Sequence, residues 1–226
     1  VQVSFDVKNK LKLKLKLNLS GVYRLRAQLF YIYDPMCSWC WGYAPTWQRL
    51  QRELASEVDI IYGLGGLAED SDVLMPEAMQ VFLQQTWRKI AQQLGTEFNF
   101  DFWQQCQPRR STFPACRATL IAREFGKEQE MLTAIQHAYY LQAKNPSNLD
   151  TLQALAVDIG LDGYDFLQKL KSQSVDEQLM AEINKMRSLP INGFPALVLV
   201  KEQLLIPIPI DYQDWRKSFE IIMKKI

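Results

Sequence analysis

Cys37 and Cys40, within Tyr33-Asp-Pro-Met-Cys-Ser-Trp-Cys-Trp-Gly-Tyr-Ala-Pro45, are spaced C-x-x-C. Two thiols at that spacing can supply half of a metal site, close a structural disulfide, or exchange disulfides. Zinc requires about four ligands. The other sulfurs, Cys106 and Cys116, lie ten residues apart in a stretch that reads as helical, and His137 is the single histidine. That set does not resemble a zinc knuckle. A permanent staple across two intervening residues would constrain the unfolded chain very little. Redox chemistry is the use these counts favour. Cys106 and Cys116 stay open between small apolar core residues and further redox-active thiols.

The rest of the composition narrows the class. The chain has 226 residues, is 48% hydrophobic and 23% charged, and carries a net charge of +1. Such a length buries a core without disulfide staples, and four cysteines are too sparse for a disulfide scaffold. A net charge near zero gives no electrostatic case for nucleic acid, and no apolar run reaches the ~20 residues of a membrane span. Without a recognisable export signal, the expectation is a cytoplasmic protein. Residues 1–26, with alternating Lys and Leu within Lys8–Ser20, read as a leader that forms a tail or an added strand.

The elements around the cysteines have a definite order. Leu29–Tyr33 is an apolar, aromatic run that reads as a buried strand, ended by Asp34-Pro35. From Cys37 to about Ser56 the spacing of Trp41, Ala44, Trp47, Leu50 and Leu54 predicts a helix, kinked by Pro45. Val58–Leu67 gives a second strand and a Gly-rich turn. Helical spacing then dominates through segments near 75–94, 114–125, 127–143, 148–159, 163–171 and 174–187. Asn148 or Asp150 is expected to cap one helix and Asp162 another. Phe194–Val200 and Gln203–Ile210 read as a hairpin turning at Lys201-Glu202, with Pro207 and Pro209 suited to an edge. A last helix follows Asp211 and Asp214. The two halves of one small sheet therefore pair across a helical insertion. Cys37 falls where strand gives way to helix, facing unpaired N–H groups and the positive helix end, which favour thiolate over thiol.

With these residues in place, the chain resembles the DsbA-like thioredoxin-fold family, and more closely its bacterial protein-disulfide isomerase branch near the FrnE-like proteins. The resemblance runs from Leu29 to the C-terminus. It is carried by "YDPMCSWCWGY", by Pro45 as kink proline, by "INGFPALVL" (Ile191–Leu199), and by "STFPACRATL" and "YYLQAKNPSN". It implies an α/β thioredoxin fold, β-α-β … β-β-α, with a large inserted all-helical domain. The expected organisation is leader 1–26, N-terminal half 27–70, helical insertion 71–188 and C-terminal half 189–226. It implies a thiol–disulfide oxidoreductase or isomerase in which Cys37 attacks and Cys40 resolves. A cis bond before Pro195 would let the Phe194 backbone bind an extended substrate chain. Trp39 is expected as a further substrate contact, because a residue between the cysteines faces outward with them. Asp34 and Ser38 are modulating residues, Asp34 either tuning Cys37 or ending the strand.

Ser38-Trp39 holds no basic side chain. The reduction potential is therefore expected between about −120 mV, as in strongly oxidising enzymes, and about −270 mV, as in thioredoxin. The partners implied are protein or peptide thiols and disulfides, with glutathione as a further candidate, and neither metal nor organic cofactor. Two other classes share the fold: glutathione-dependent isomerases or kappa-type transferases, which hold a serine at the first cysteine's place, and non-enzymatic peptide-binding proteins.

Overall fold

The computed structural model describes residues 26–226, so the alternating Lys-Leu leader lies outside the described residues. Strand β1 (Gln28–Tyr33) leads into helix α1 (Ser38–Leu54) and strand β2 (Asp59–Leu64). Seven helices follow: α2 (Glu77–Leu94), α3 (Phe102–Gln105), α4 (Phe113–Glu124), α5 (Glu128–Tyr140), α6 (Leu149–Asp158), α7 (Gly163–Leu170) and α8 (Gln173–Arg187). Strands β3 (Ala196–Lys201) and β4 (Leu204–Ile208) and helix α9 (Trp215–Met223) complete the chain.

The four strands form one sheet in the order β2-β1-β3-β4. β1 runs parallel to β2, with Tyr31 opposite Tyr62, and antiparallel to β3, with Phe30 opposite Val198. The central strand is thus flanked by one partner from each side of the helical insertion. Period-two alternation divides its side chains between two layers. Leu29, Tyr31 and Tyr33 pack with α1 and the large core, where Tyr31 stacks on Trp47 at 4.2 Å. Phe30 and Ile32 face the other way, against Met186 of α8 and Val198. Helices α1 and α9 pack together, while α8 packs along β2. The sheet is therefore covered on both faces, as a strand apolar on both sides requires.

The insertion shares its core with the sheet rather than forming a separate one. Every α4 residue from Phe113 to Ala122 is buried. Trp87 of α2, fully buried, lies among Phe98, Phe102, Trp103, Tyr139 and Tyr140 with ring centroids 5.0–5.9 Å from its own.

One element was not foreseen and one expectation is corrected. The single turn α3 has no periodic signature, because four residues span barely one helical repeat. The hairpin turns at Glu202-Gln203, one residue later than expected, with φ of 51° and 70°. Those left-handed values suit a tight hairpin, but glycine and asparagine, which usually mark them, are missing. Pro207 sits on the edge strand opposite Val198, where no ladder donor is lost to a further neighbour. Asn148 occupies an N-cap without a side-chain bond to its helix, whereas Asp162 accepts from the Asp165 N–H.

Candidate active site

The site begins where β1 ends. Cys37 is the N-cap of α1 in extended conformation, and its Sγ accepts the Cys40 N–H at 3.3 Å. Its own N–H donates to the Asp34 carbonyl at 3.0 Å. Helix entry thus turns one sulfur toward the backbone donors of the first turn, as expected of an N-cap. Cys37 is 6% exposed and Cys40 1%. Burial, reinforced by the hydrogen bond to and closeness of Cys37, pushes the Cys40 thiol well above its ordinary range. The two sulfurs are therefore unequal: one at the edge of a cleft, the other sealed and held as a thiol.

Phe194 approaches from the far end of the chain. The Phe194–Pro195 bond is cis, and the Phe194 carbonyl oxygen lies 3.6 Å from Cys37 Sγ, within reach of a thiol donor. The Phe194 ring rests on Gly65, where an added Cβ would stand 2.0 Å from Cε1. The neighbouring Gly66 has φ +60°, a left-handed conformation. The Gly-rich turn after β2 is thus the bed for the residue that carries the cis bond, and Arg187 of α8 donates to the Gly65 and Gly66 carbonyls.

Asp34 is wholly buried, and its carboxylate gathers donors from the surrounding loops. It accepts the Met36 N–H at 2.8 Å, the Leu67 N–H at 2.7 Å, the Thr112 hydroxyl at 2.7 Å and the Cys116 thiol at 3.5 Å. Burial raises its pKa, and these four donors pull the other way without cancelling the rise. Of the two roles considered for Asp34, these contacts fit the structural one. Cys116 is correspondingly buried beside a carboxylate, and both circumstances push its thiol up. Cys106 lies apart, half-buried, donating to the Ala143 carbonyl at 3.0 Å.

Ser38 and Trp39, between the cysteines, are half-buried rather than turned out to solvent. Ser38 Oγ accepts the Trp87 indole N–H at 3.0 Å. Trp39 packs edge-on to Tyr212 at 5.1 Å, with Lys89 Nζ 5.8 Å over its ring. Both side chains are therefore anchored, Ser38 to the insertion and Trp39 to the loop before α9.

A cleft of about 250 Å³ opens beside Cys37 between the insertion and the sheet end, lined by Trp39, Leu67, Phe82, Thr112, Tyr139 and Phe194 among others. Sequence reasoning brought Cys37, Cys40, Trp39 and Phe194 together. It missed Trp87, Thr112, Gly65 and Tyr140, whose hydroxyl donates to the Met36 carbonyl at 2.8 Å. Thr112 and Tyr140 fall in segments singled out for resemblance, but nothing in their types marked a contact with the cysteine loop.

Comparison with known proteins agrees with this fold. Residues 29–209 match the family described as DSBA-like thioredoxin domain. Among solved structures, a candidate protein disulfide isomerase from Nitrosomonas europaea superposes with a TM-score of 0.77 and 26% identity, over 88% of this chain and 98% of that one. The cytosolic disulfide reductase DsbM from Pseudomonas aeruginosa gives 0.71 and 25%, over 88% of this chain and 100% of that one. The ClpXP adapter protein SpxH of Bacillus subtilis is 24% identical over 180 residues, 78% of this chain and 59% of SpxH. The chain spans about three fifths of the length of the curated relatives it matches. With a family match across most of the chain and a four-stranded sheet that seats a C-x-x-C pair at the head of α1, the chain belongs to the DSBA-like thioredoxin domain family.

Proposed function

We propose that this chain is a dithiol–disulfide oxidoreductase, acting as reductase or isomerase on protein and peptide disulfides, with Cys37 as the attacking and Cys40 as the resolving sulfur. The observation that carries the reading is the inequality of the two sulfurs: Cys37 Sγ borders a cleft and receives the Cys40 N–H, while Cys40 is sealed. In the reductive direction Cys37 thiolate attacks one sulfur of a substrate disulfide. That S–S bond breaks, the other substrate sulfur leaves as thiolate, and a mixed disulfide with Cys37 forms. Cys40 then gives up its proton, attacks Cys37 Sγ and releases the second substrate sulfur. The substrate gains two electrons and the chain holds a Cys37–Cys40 disulfide. The reverse sequence oxidises substrate thiols through the same atoms.

Phe194 and Pro195 would hold the extended substrate backbone beside Cys37, and Trp39 would flank it. Ser38 and Asp34 support the loop without touching the exchanging bond. Glutathione is a candidate co-substrate, since a crystal form of the Pseudomonas reductase is described with it. That reductase is described as cytosolic, and the same compartment is our reading for this chain. Among the described residues no helix is long and apolar enough to cross a membrane.

Insulin reduction with C37S and C40S variants tests the proposal. C37S should abolish turnover, and C40S should stop at a mixed disulfide visible by mass. Turnover that survives C37S would overturn it. The adapter relatives favour a second reading, a binding protein that does no chemistry. On that reading the wild type itself would show no reduction, and substrate capture would persist in a C37S/C40S double variant.

A further inference from the structure

The cleft beside Cys37 has a charge pattern that the exchange reaction does not require. Its lining includes two basic residues, Arg109 and Arg110, and no acidic one. The remaining surface is mostly apolar and includes Leu67, Met75, Phe82 and Phe194, with Phe82 59% exposed at the rim. Neither arginine has a carboxylate within ion-pair distance among the described residues. Arg109 donates to the Ser147 carbonyl at 2.8 Å and to Asn148 Oδ1 at 2.7 Å, its Nε is buried without a partner, and it also borders an adjoining cavity lined by Asp70, Asp72 and Asp150, so it is the less available of the two. Arg110 is exposed and reaches only Met79 Sδ, at 3.9 Å.

Nearby arginines are treated differently. Arg117 is neutralised by Asp70 and Asp176, and Arg123 by Glu128 and Glu182, each within 3.0 Å. Arg187 is satisfied by the Gly65 and Gly66 carbonyls instead, and Arg110, exposed at the mouth of the cleft, has neither kind of partner among the described residues. A guanidinium fork recognises carboxylates well, and a cleft lined by one sign of charge raises the local concentration of the opposite sign. At about 250 Å³ the space suits the residues flanking one sulfur rather than a folded surface.

We propose that Arg110, with Arg109 beside it, selects substrates carrying a carboxylate within a residue or two of the reacting sulfur, on an otherwise apolar stretch. The inference rests on the dithiol–disulfide reading above and deepens it. The carboxylate can be an acidic side chain of a protein segment or belong to a small acidic thiol such as glutathione; the chemistry recognised is the same.

The test uses end-capped peptides disulfide-linked to a chromogenic thiol, with Asp, Ser or Lys beside the cysteine, and the reduced full chain as reductant. Release of chromophore gives kcat/KM. The acidic peptide should exceed the basic one by about tenfold at low salt, and the ratio should shrink as salt screens it. R110Q should cut the ratio to about threefold, and the exposed-site reversal R110E should bring it to one or below. R109Q, read with circular dichroism because Arg109 also ties two loops, should act in the same direction. Parallel rates for glutathione disulfide with free and esterified carboxylates distinguish the source. A loss confined to glutathione assigns the preference to a small thiol, a loss confined to the peptides assigns it to protein segments, and both support the proposal. Equal release from all three peptides together with equal rates for free and esterified glutathione disulfide, or a preference for the acidic substrate unmoved by R110E, would overturn it while leaving the dithiol chemistry standing. Release from none, or equal release by C37S, would instead bring down the underlying reading.

Discussion

Asp34 ties the cysteine loop to the two segments facing it, so replacing it with alanine should loosen the site and cost measurable stability. The carboxylate receives the Met36 N–H, the Leu67 N–H, the Thr112 hydroxyl and, more weakly, the Cys116 thiol. Met36, Leu67 and Thr112 all line the cleft that holds Cys37. Thr112 can turn to the Ala68 carbonyl, already 3.3 Å away, and loses little. The two backbone N–H groups have no such alternative, and a buried donor left unpaired costs ~1–3 kcal/mol. Asp34→Ala should therefore destabilise by about 4 kcal/mol, lowering Tm by roughly 8–16 °C at ~2–4 °C per kcal/mol for a chain of this size.

Urea unfolding followed by tryptophan fluorescence measures the loss, and insulin reduction at a temperature where both proteins are folded measures the effect on the site, expected as at least a roughly tenfold fall. Asp34→Asn adds a pH test. Because burial raises the Asp34 pKa above 3.8, the folded chain keeps a proton that the unfolded chain releases. The stability linked to that proton is complete below the unfolded value and is lost as pH rises through the folded one. The asparagine variant lacks the titrating group, so its stability profile should be flatter across that window. A loss below about 1 kcal/mol in the alanine variant would show that the two N–H groups find other partners. An unchanged pH profile in the asparagine variant would show that Asp34 does not titrate with folding.

Gly65→Ala should drive a methyl group into the Phe194 ring, costing about 1–3 kcal/mol and lowering disulfide reduction; adding Phe194→Leu should relieve much of that cost, and additive effects would refute the contact. Brief alkylation of the reduced chain should modify Cys37 while Cys40 and Cys116, both buried and raised, stay unmodified until unfolding, as mass mapping of peptides would report; equal labelling of Cys37 and Cys40 would contradict the assigned order of attack. Equilibration with glutathione buffers should place the Cys37–Cys40 potential between about −120 and about −270 mV, since the intervening dipeptide itself holds no basic side chain; a value outside that interval would remove the argument from the neutral Ser38-Trp39 pair.

Much of the site was legible because it depends on local rules. An apolar run closed by Asp34-Pro35, followed by helical spacing, places Cys37 at a strand-to-helix junction before any tertiary contact is known. The resemblance then added Phe194 and Pro195, which spacing alone would have left as an ordinary strand entry. Asp34 illustrates the limit. Its type and position allowed either strand termination or tuning of Cys37, and neither reading foresaw its four donors, two of them on Thr112 and Cys116 of a distant segment.

The sequence by itself determined the order of elements, the head-of-helix sulfur, and a sheet split across an insertion, because alternation, helical periodicity and breaker residues act over a few positions. Tertiary structure decided everything that depends on which surfaces meet. Pairing β1 between β2 and β3 brings Phe194 onto Cys37 across 157 residues. Packing of the insertion sets Trp87 on Ser38, Thr112 on Asp34, and Arg109 and Arg110 at the cleft. Such contacts leave no periodic trace in the chain, since their partners are selected by shape and burial rather than by spacing.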